Sequence, residues 1–223
     1  MAETVLITGA SGLLGRALVR EFSGGDFLVL AQYHHHQGAK SGNVRWLAGD
    51  FSSAEGTAAF LKRHAARLAG CSHVIHNYGP IVEKPTADVT GSDLVAAFQV
   101  QVQPALDITR FLLARAPLRS ALFIAFEDTG RMRPFRKILA FAMAKNALLL
   151  LSRSLAAVHP GIRFNVFSPP TLAGADIRHP QVKPVAPEIV AARVRRIVQG
   201  RGTGRHYRRA GTGRKMNSGG CHG

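Results

Sequence analysis

Cysteine is nearly absent from this chain: Cys71 and Cys221 are the only two in 223 residues. Two thiols so far apart, one expected in a strand and one in the tail, build no disulfide framework. That fits a protein of the reducing cytoplasm. No apolar run approaches the 18 or more residues of a spanning helix, so no membrane association is expected. The opening MAETVLITG has neither the basic start nor the cleavage site of a secretory signal. Acidic residues run out early, with no Asp or Glu after Glu188. Nine of the 29 Lys and Arg fall between Arg193 and Lys215, within a net charge of +16. Such a run can draw nucleic acid by counterion release. Its single aromatic, Tyr207, makes no stacking platform, so nucleic acid is not expected as a partner.

What is present is alternation. ETVLIT (3–8), DFLVLAQ (26–32), NVRWLAG (43–49), SHVIHN (72–77), SALFIAF (120–126) and IRFNVFS (162–168) read as strands. Helical patterns follow at 13–22, 54–69, 92–115, 136–157 and 187–199. Strand–helix alternation with continuously apolar strands predicts a parallel sheet covered on both faces. The fold class is therefore α/β: a Rossmann-like, doubly wound, three-layer α/β/α single domain over 1–200. The basic Gly/Arg-rich tail, 201–223, is expected to hold at most a short edge strand at TGRHYRRAG and then no order.

The first strand runs into LITGASGLLGRALV, which sets Gly9, Gly12 and Gly15 between strand and helix. In that context one glycine permits the tight turn and another lets backbone N–H groups approach a pyrophosphate. The third lets helix and strand pack closely, with the helix N-terminus facing the negative charge. A dinucleotide site is expected here. The second strand ends in Gln32-Tyr33-His34-His35-His36, with Lys40 nearby and no acid. A basic or neutral pocket suits a 2′-phosphate better than two hydroxyls, so NADP(H) is preferred over NAD(H). Arg16 is a second candidate cation. Consecutive histidines point in alternating directions and converge poorly, so no metal is expected.

TGASGLLG (8–15), GDFSS (49–53), HNYG (76–79), the helix 139–156 and NVFSPP (165–170) together resemble the short-chain dehydrogenase/reductase family over nearly the whole chain. The resemblance implies cofactor contacts from Gly9, Ser11, Gly12, Leu14, Gly15, Tyr33, His34, Asp50, Phe51, Asn77, Gly79, Lys145 and Pro169. Within it Asp50 inherits a hydrogen bond to adenine, Asn77 and Gly79 line the cofactor, and Lys145 holds the nicotinamide ribose. The family's Tyr-x-x-x-Lys becomes Phe141-Ala-Met-Ala-Lys145. Its serine position is taken by Asp128, its helix asparagine by Gln101, and its Pro-Gly by Pro169-Pro170. An aspartate at the serine position, the helix around Lys145 and LAQYHHH resemble the pteridine-reductase-like branch, while the glycine spacing is nearer the extended branch.

Phe141 cannot give a proton to an alkoxide, and losing a general acid costs on the order of 10²–10⁴ in rate. A C=N bond is protonated at nitrogen, which a carboxylic acid can serve. The expected function is NADP(H)-dependent reduction of such a bond in a pterin-like heterocycle, with Asp128 as donor. Glu127 takes the inward position if the register slips by one, and Tyr78 is a weaker hydroxyl candidate or a pocket wall. The alternative is a catalytically silent relative that binds a dinucleotide as sensor or scaffold. Arg131, Arg133, Arg136 and Lys137 are placed to steer an anionic substrate or to stand solvated. The segment 169–187 reads as a small, stiff substrate lid. The apolar faces of 92–115 and 136–157 imply a homodimer or homotetramer.

Overall fold

The structure, a computed structural model, describes residues 3–39, 41–131, 134–175 and 183–208. Lys40, Arg133, residues 176–182 of the expected lid segment, Cys221 and the tail beyond Arg208 lie outside the described residues.

Seven strands form one parallel sheet: β1 (Glu3–Ile7), β2 (Phe27–Tyr33), β3 (Val44–Ala48), β4 (His73–His76), β5 (Ser120–Ile124), β6 (Arg163–Ser168) and β7 (His206–Arg208). Their order is β3-β2-β1-β4-β5-β6-β7. The order reverses between β1 and β4, which opens a crevice at the carboxyl ends of the strands. Both sheet faces are apolar. Val5 and Ile7 of β1, with Val29 and Ala31 of β2, pack under α1 (Leu13–Ser23) and α6 (Pro187–Gln199). Leu6, Leu30, Phe123 and Val166 point the other way. That face is covered by α2 (Ala54–Leu68), α4 (Gln103–Arg115) and α5 (Leu139–Val158), with α3 (Gly91–Gln101) against α5. Alternating side chains that are all apolar are what a sheet buried on both faces requires.

Three boundaries depart from the sequence reading. The expected helix 92–115 is broken at Val102, because Pro104 has no N–H and favours the first turn of a new helix. The break leaves Gln101 buried at the end of α3. The helix expected from 136 starts at Leu139, since the Arg136 and Lys137 carbonyls accept from the Thr86 and Lys84 amides at 2.9 and 2.7 Å. Cys71 sits in the turn ahead of β4, not in a strand. Its buried thiol donates to the His73 carbonyl at 3.0 Å, and burial pushes its pKa up to about 12.

By length and composition α5, with mean hydropathy 1.3 over its apolar window, could cross a bilayer. Phe141, Ala144, Lys145, Leu148, Ser152 and Leu155 are nonetheless buried within the domain. It is the core helix of this fold.

Candidate active site

The glycine turn is built from both sides. Thr8 is buried, and its Oγ1 accepts from the Asn77 and Tyr78 amides at 3.0 Å each. Gly9 has φ +61°, a conformation that L side chains seldom adopt. Its amide donates to Gln32 Oε1 at 2.7 Å, and its carbonyl accepts from Asn77 Nδ2 at 3.1 Å. Gln32 in turn donates to the Gly49 carbonyl at 2.7 Å, so one buried amide ties the turn to the end of β3. Gly12 opens α1 with no side-chain cap, leaving the first amides of the helix to an anion. The close approach of turn and helix leaves no room for a Cβ at Gly15. This arrangement fits a pyrophosphate. The Leu14 side chain is buried in the core, so only its backbone can reach a cofactor.

At the end of β2, Tyr33 packs edge-on against Trp46, and His34 and His35 stand exposed with ring centroids 3.6 Å apart. His34 Nε2 is 3.7 Å from Asp50 Oδ2. Asp50 accepts from the Ser52 amide and from Ser52 Oγ, both at 2.8 Å. The amide, ahead of burial and the two histidines, makes the net shift of its pKa downward. The Phe51 ring is buried between Phe60 and Tyr78, so its side chain serves the core and only its backbone could reach a cofactor. Tyr78 packs edge-on against Phe51. Its hydroxyl pKa is raised by burial and then by Asp50, so it lies on the same side of the crevice as that carboxylate.

The other half gathers around Lys145. Its ammonium is 4% exposed, donates to the Ile124 carbonyl at 3.1 Å and lies 5.7 Å from the centroid of the Phe141 ring. Burial alone lowers its pKa to about 8. Gly79, at φ +154°, lets the chain pass between Lys145 Nζ and Gln101 Oε1, the space a Cβ would fill. Gln101 donates to the Pro80 carbonyl at 2.6 Å, which leaves its buried Oε1 without a partner among the described residues. Behind them His76 stacks on Phe123 at 4.9 Å and meets Thr109 Oγ1 at 2.9 Å. Burial, then Lys145, drives the His76 pKa down to about 3, so this imidazole is neutral. Phe141 is buried against Phe126, with apolar contacts where the family pattern has a hydroxyl.

Asp128 is buried in the turn after β5, with Oδ1 3.3 Å from Arg131 Nη1. Glu127 turns instead to the segment after β6, where Oε2 accepts from the amide and hydroxyl of Thr171 at 3.3 Å each. Pro169 and Pro170 are buried just before it. Next to Phe141 opens a cleft of about 210 Å³, lined by Val82, Ala97, Val100, Gln101, Leu139 and Phe141 among others. Asp128 does not line it. The crevice thus brings together Gly9, Asn77, Gly79, Gln101 and Lys145, while the two carboxyls stand in the turn after β5. Sequence reasoning missed Thr8, Gln32 and His76. Each is a polar residue in or beside an apolar strand, which was the only available signal.

A doubly wound parallel sheet with an open glycine turn at its carboxyl edge defines a Rossmann-like α/β class. Residues 10–204 match the family model described as Enoyl-(Acyl carrier protein) reductase. The chain belongs to the short-chain dehydrogenase/reductase family. It is 25% identical over 175 residues to the uncharacterized oxidoreductase YvrD of Bacillus subtilis (strain 168), covering 74% of this chain and 66% of that protein. It is also 25% identical over 190 residues to sepiapterin reductase of Xenopus laevis, covering 74% of this chain and 71% of that one. The fold is similar to 3-ketoacyl-(acyl-carrier-protein) reductase from Brucella melitensis complexed with NADH. The TM-score there is 0.80 at 17% identity, over 94% of this chain and 97% of that one.

Proposed function

We propose that this protein is an NADP(H)-dependent reductase of a C=N bond in a pterin-like heterocycle, with Asp128 as proton donor. The observation that carries the reading is the site around Lys145. A buried ammonium next to Gly79 and Gln101 borders an apolar cleft, with phenylalanine in place of a hydroxyl and a buried carboxyl in the turn after β5. The likeness to sepiapterin reductase supports a pterin-like ring. The 2′-phosphate preference is supported by exposed His34 and His35, and by Arg16, whose guanidinium donates to the Ser11 carbonyl at 2.8 Å beside the glycine turn.

When bound, the reduced cofactor supplies the hydride. The amides opening α1 hold the pyrophosphate, and Asp50 and Tyr78 border the adenine. Lys145 spends one N–H on Ile124 and keeps the others for the ribose. The walls of Val82, Ala97, Val100 and Phe141 exclude water and take the flat faces of the ring. Asp128, outside the lining of that cleft, would pass its proton to the substrate nitrogen through an intervening water and regain one from solvent, while Glu127 holds the segment after β6 through Thr171. Val95 and Phe98 of α3 and Met143 and Leu150 of α5 are exposed, and support a homodimer or homotetramer through this face. The free Cys71 thiol suits the cytoplasm.

Asp128→Asn is expected to lower the rate of NADPH oxidation with a dihydropterin by about 10²–10⁴, leaving NADPH affinity unchanged by calorimetry. A rate indifferent to Asp128→Asn but lost in Glu127→Gln transfers the role to the neighbouring carboxyl. The packing of Phe141 on Phe126 favours a second reading, a dinucleotide-binding sensor or scaffold without turnover.

A further inference from the structure

The reduction chemistry leaves the chain's positive charge unused, and the structure shows where part of it collects. Among the described residues, edge strand β7 pairs with β6 alone. Its His206 and Arg208 lie with Arg131 and with Arg153 of α5, close enough that these like charges act on one another. Arg208 Nη2 donates to the Thr129 carbonyl at 3.0 Å, fixing that guanidinium beside Gly130. Toward α6, Arg193 lies 5.4 Å from the centroid of the Phe167 ring and donates to the Arg208 carbonyl. Arg193 and Arg196 share a shallow hollow with Tyr207. Arg205 is exposed at the start of the strand.

Three arginines elsewhere find acids, while others, such as Arg16, Arg45 and Arg163, donate to backbone carbonyls. Arg20 meets Glu188 and Arg119 meets Glu3, both at 2.6 Å, and Arg195 meets Glu21 at 3.6 Å. Along this edge only Arg131 does, through Asp128. Among the described residues, Arg153, Arg193, Arg196, Arg205 and Arg208 meet no carboxylate. Burial first, and then the neighbouring arginines, hold the Arg208 and His206 pKa values below their ordinary range, with His206 at about 4 and therefore neutral, so the charge here is carried by the arginines.

We infer that the β7 edge is a docking surface for the phosphate backbone of a nucleic-acid duplex. Cations stand on both sides of the strand and at its start, so they suit an extended polyanion better than a single small anion. They are arginines, whose planar forks match phosphate oxygens in pairs. A second copy of this chain would bring like charge to like charge. The only aromatic of the edge strand, Tyr207, is half-buried, so the contact is with phosphates and not with stacked single-strand bases. The lone aromatic had argued against nucleic acid in the sequence. The unpaired arginines on folded elements reverse that expectation, and the surface is independent of the proposed reduction.

Fluorescence anisotropy of a labelled mixed-sequence DNA duplex, titrated with the full chain, tests it. Each neutralised phosphate contributes about −0.9 to the slope of log affinity against log salt. Five arginines therefore give a slope of about −4.5, a loss of roughly five-hundredfold between about 50 and 200 mM NaCl. Exchanging Arg153→Gln together with Arg196→Gln, both exposed, is expected to flatten the slope by about 2 and to leave the melting temperature and NADPH affinity as in wild type. A duplex that stays free at the lowest salt overturns the inference. So does a slope unchanged in the double variant, or capture of the chain by phosphatidylglycerol vesicles but not by the duplex.

Discussion

Lys145→Met is expected to remove dinucleotide binding while making the cofactor-free domain more stable. Lys145 is 4% exposed, and burial alone lowers its pKa to about 8 from the ordinary lysine value of 10.5. Holding it charged inside the domain therefore costs about 3 kcal/mol, at 1.36 kcal/mol for each pKa unit. Because the folded value lies below the unfolded one, the unfolded chain binds more protons between about pH 8 and 10.5. The wild type should thus gain stability as pH rises through that window, and the methionine variant should be flat there. Among the described residues, that cost is met in the cofactor-free fold only by one hydrogen bond to Ile124 and the Phe141 ring near the ammonium, and on the proposed reading the charge serves the cofactor. Calorimetry should show NADPH affinity falling at least about a hundredfold in the variant, as loss of a buried charged hydrogen-bond donor implies. Differential scanning calorimetry should show a higher melting temperature. A variant that binds NADPH as wild type would place Lys145 outside the cofactor site.

Gly15→Val is expected to unfold the glycine turn. A Cβ at Gly15 would lie 2.1 Å from the Gly9 carbonyl oxygen and 2.7 Å from backbone atoms of Ala10. These are backbone atoms, so no rotamer relieves the overlap, and α1 must leave the sheet or the turn must open. Overpacking and strain of this kind cost about 3–5 kcal/mol. For a domain of this size that is a fall of about 10–15 °C in melting temperature. Gly12→Ala is the contrast. A Cβ there meets only the Gly9 carbonyl oxygen, at 3.3 Å, so the domain should keep its melting temperature within a few degrees. Because Gly12 is where α1 opens toward the anion, NADPH affinity should fall in that variant nonetheless. Equal melting temperatures for the two variants would contradict the packing derived for the turn.

Most of the sheet and its helices were legible because their signals are local. Ser53 caps α2 through the Gly56 amide, and Pro187 opens α6. The apolar strands needed no partner to be recognised. The break at Val102 has a local cause in Pro104, but the start of α5 was misplaced because of groups distant in sequence. Backbone pairing with Lys84 and Thr86 keeps residues 136–138 out of α5, and only folding brings those segments together. The site divides in the same way. Gly9, Gly12, Gly15 and Lys145 announce themselves by spacing. The Gln32 amide that ties turn to strand, and the neutral His76 behind Lys145, become visible only when β2 and β4 flank β1. Nor could spacing show that Asp128 turns to Arg131 while Glu127 turns to Thr171. Adjacent carboxyls in a turn are sorted by what lies across from them.

The central claim is a reductase that works without a tyrosine hydroxyl because its acceptor is protonated at nitrogen. The direct measurement is NADPH oxidation by the wild-type chain with a dihydropterin and with ketones of similar size. The account predicts turnover of the C=N substrate, with ketones at least about a hundredfold slower for want of the general acid. Equal rates on both would contradict it. So would a chain that binds NADPH, oxidises it with neither, and gains ketone reduction when Phe141→Tyr restores the hydroxyl.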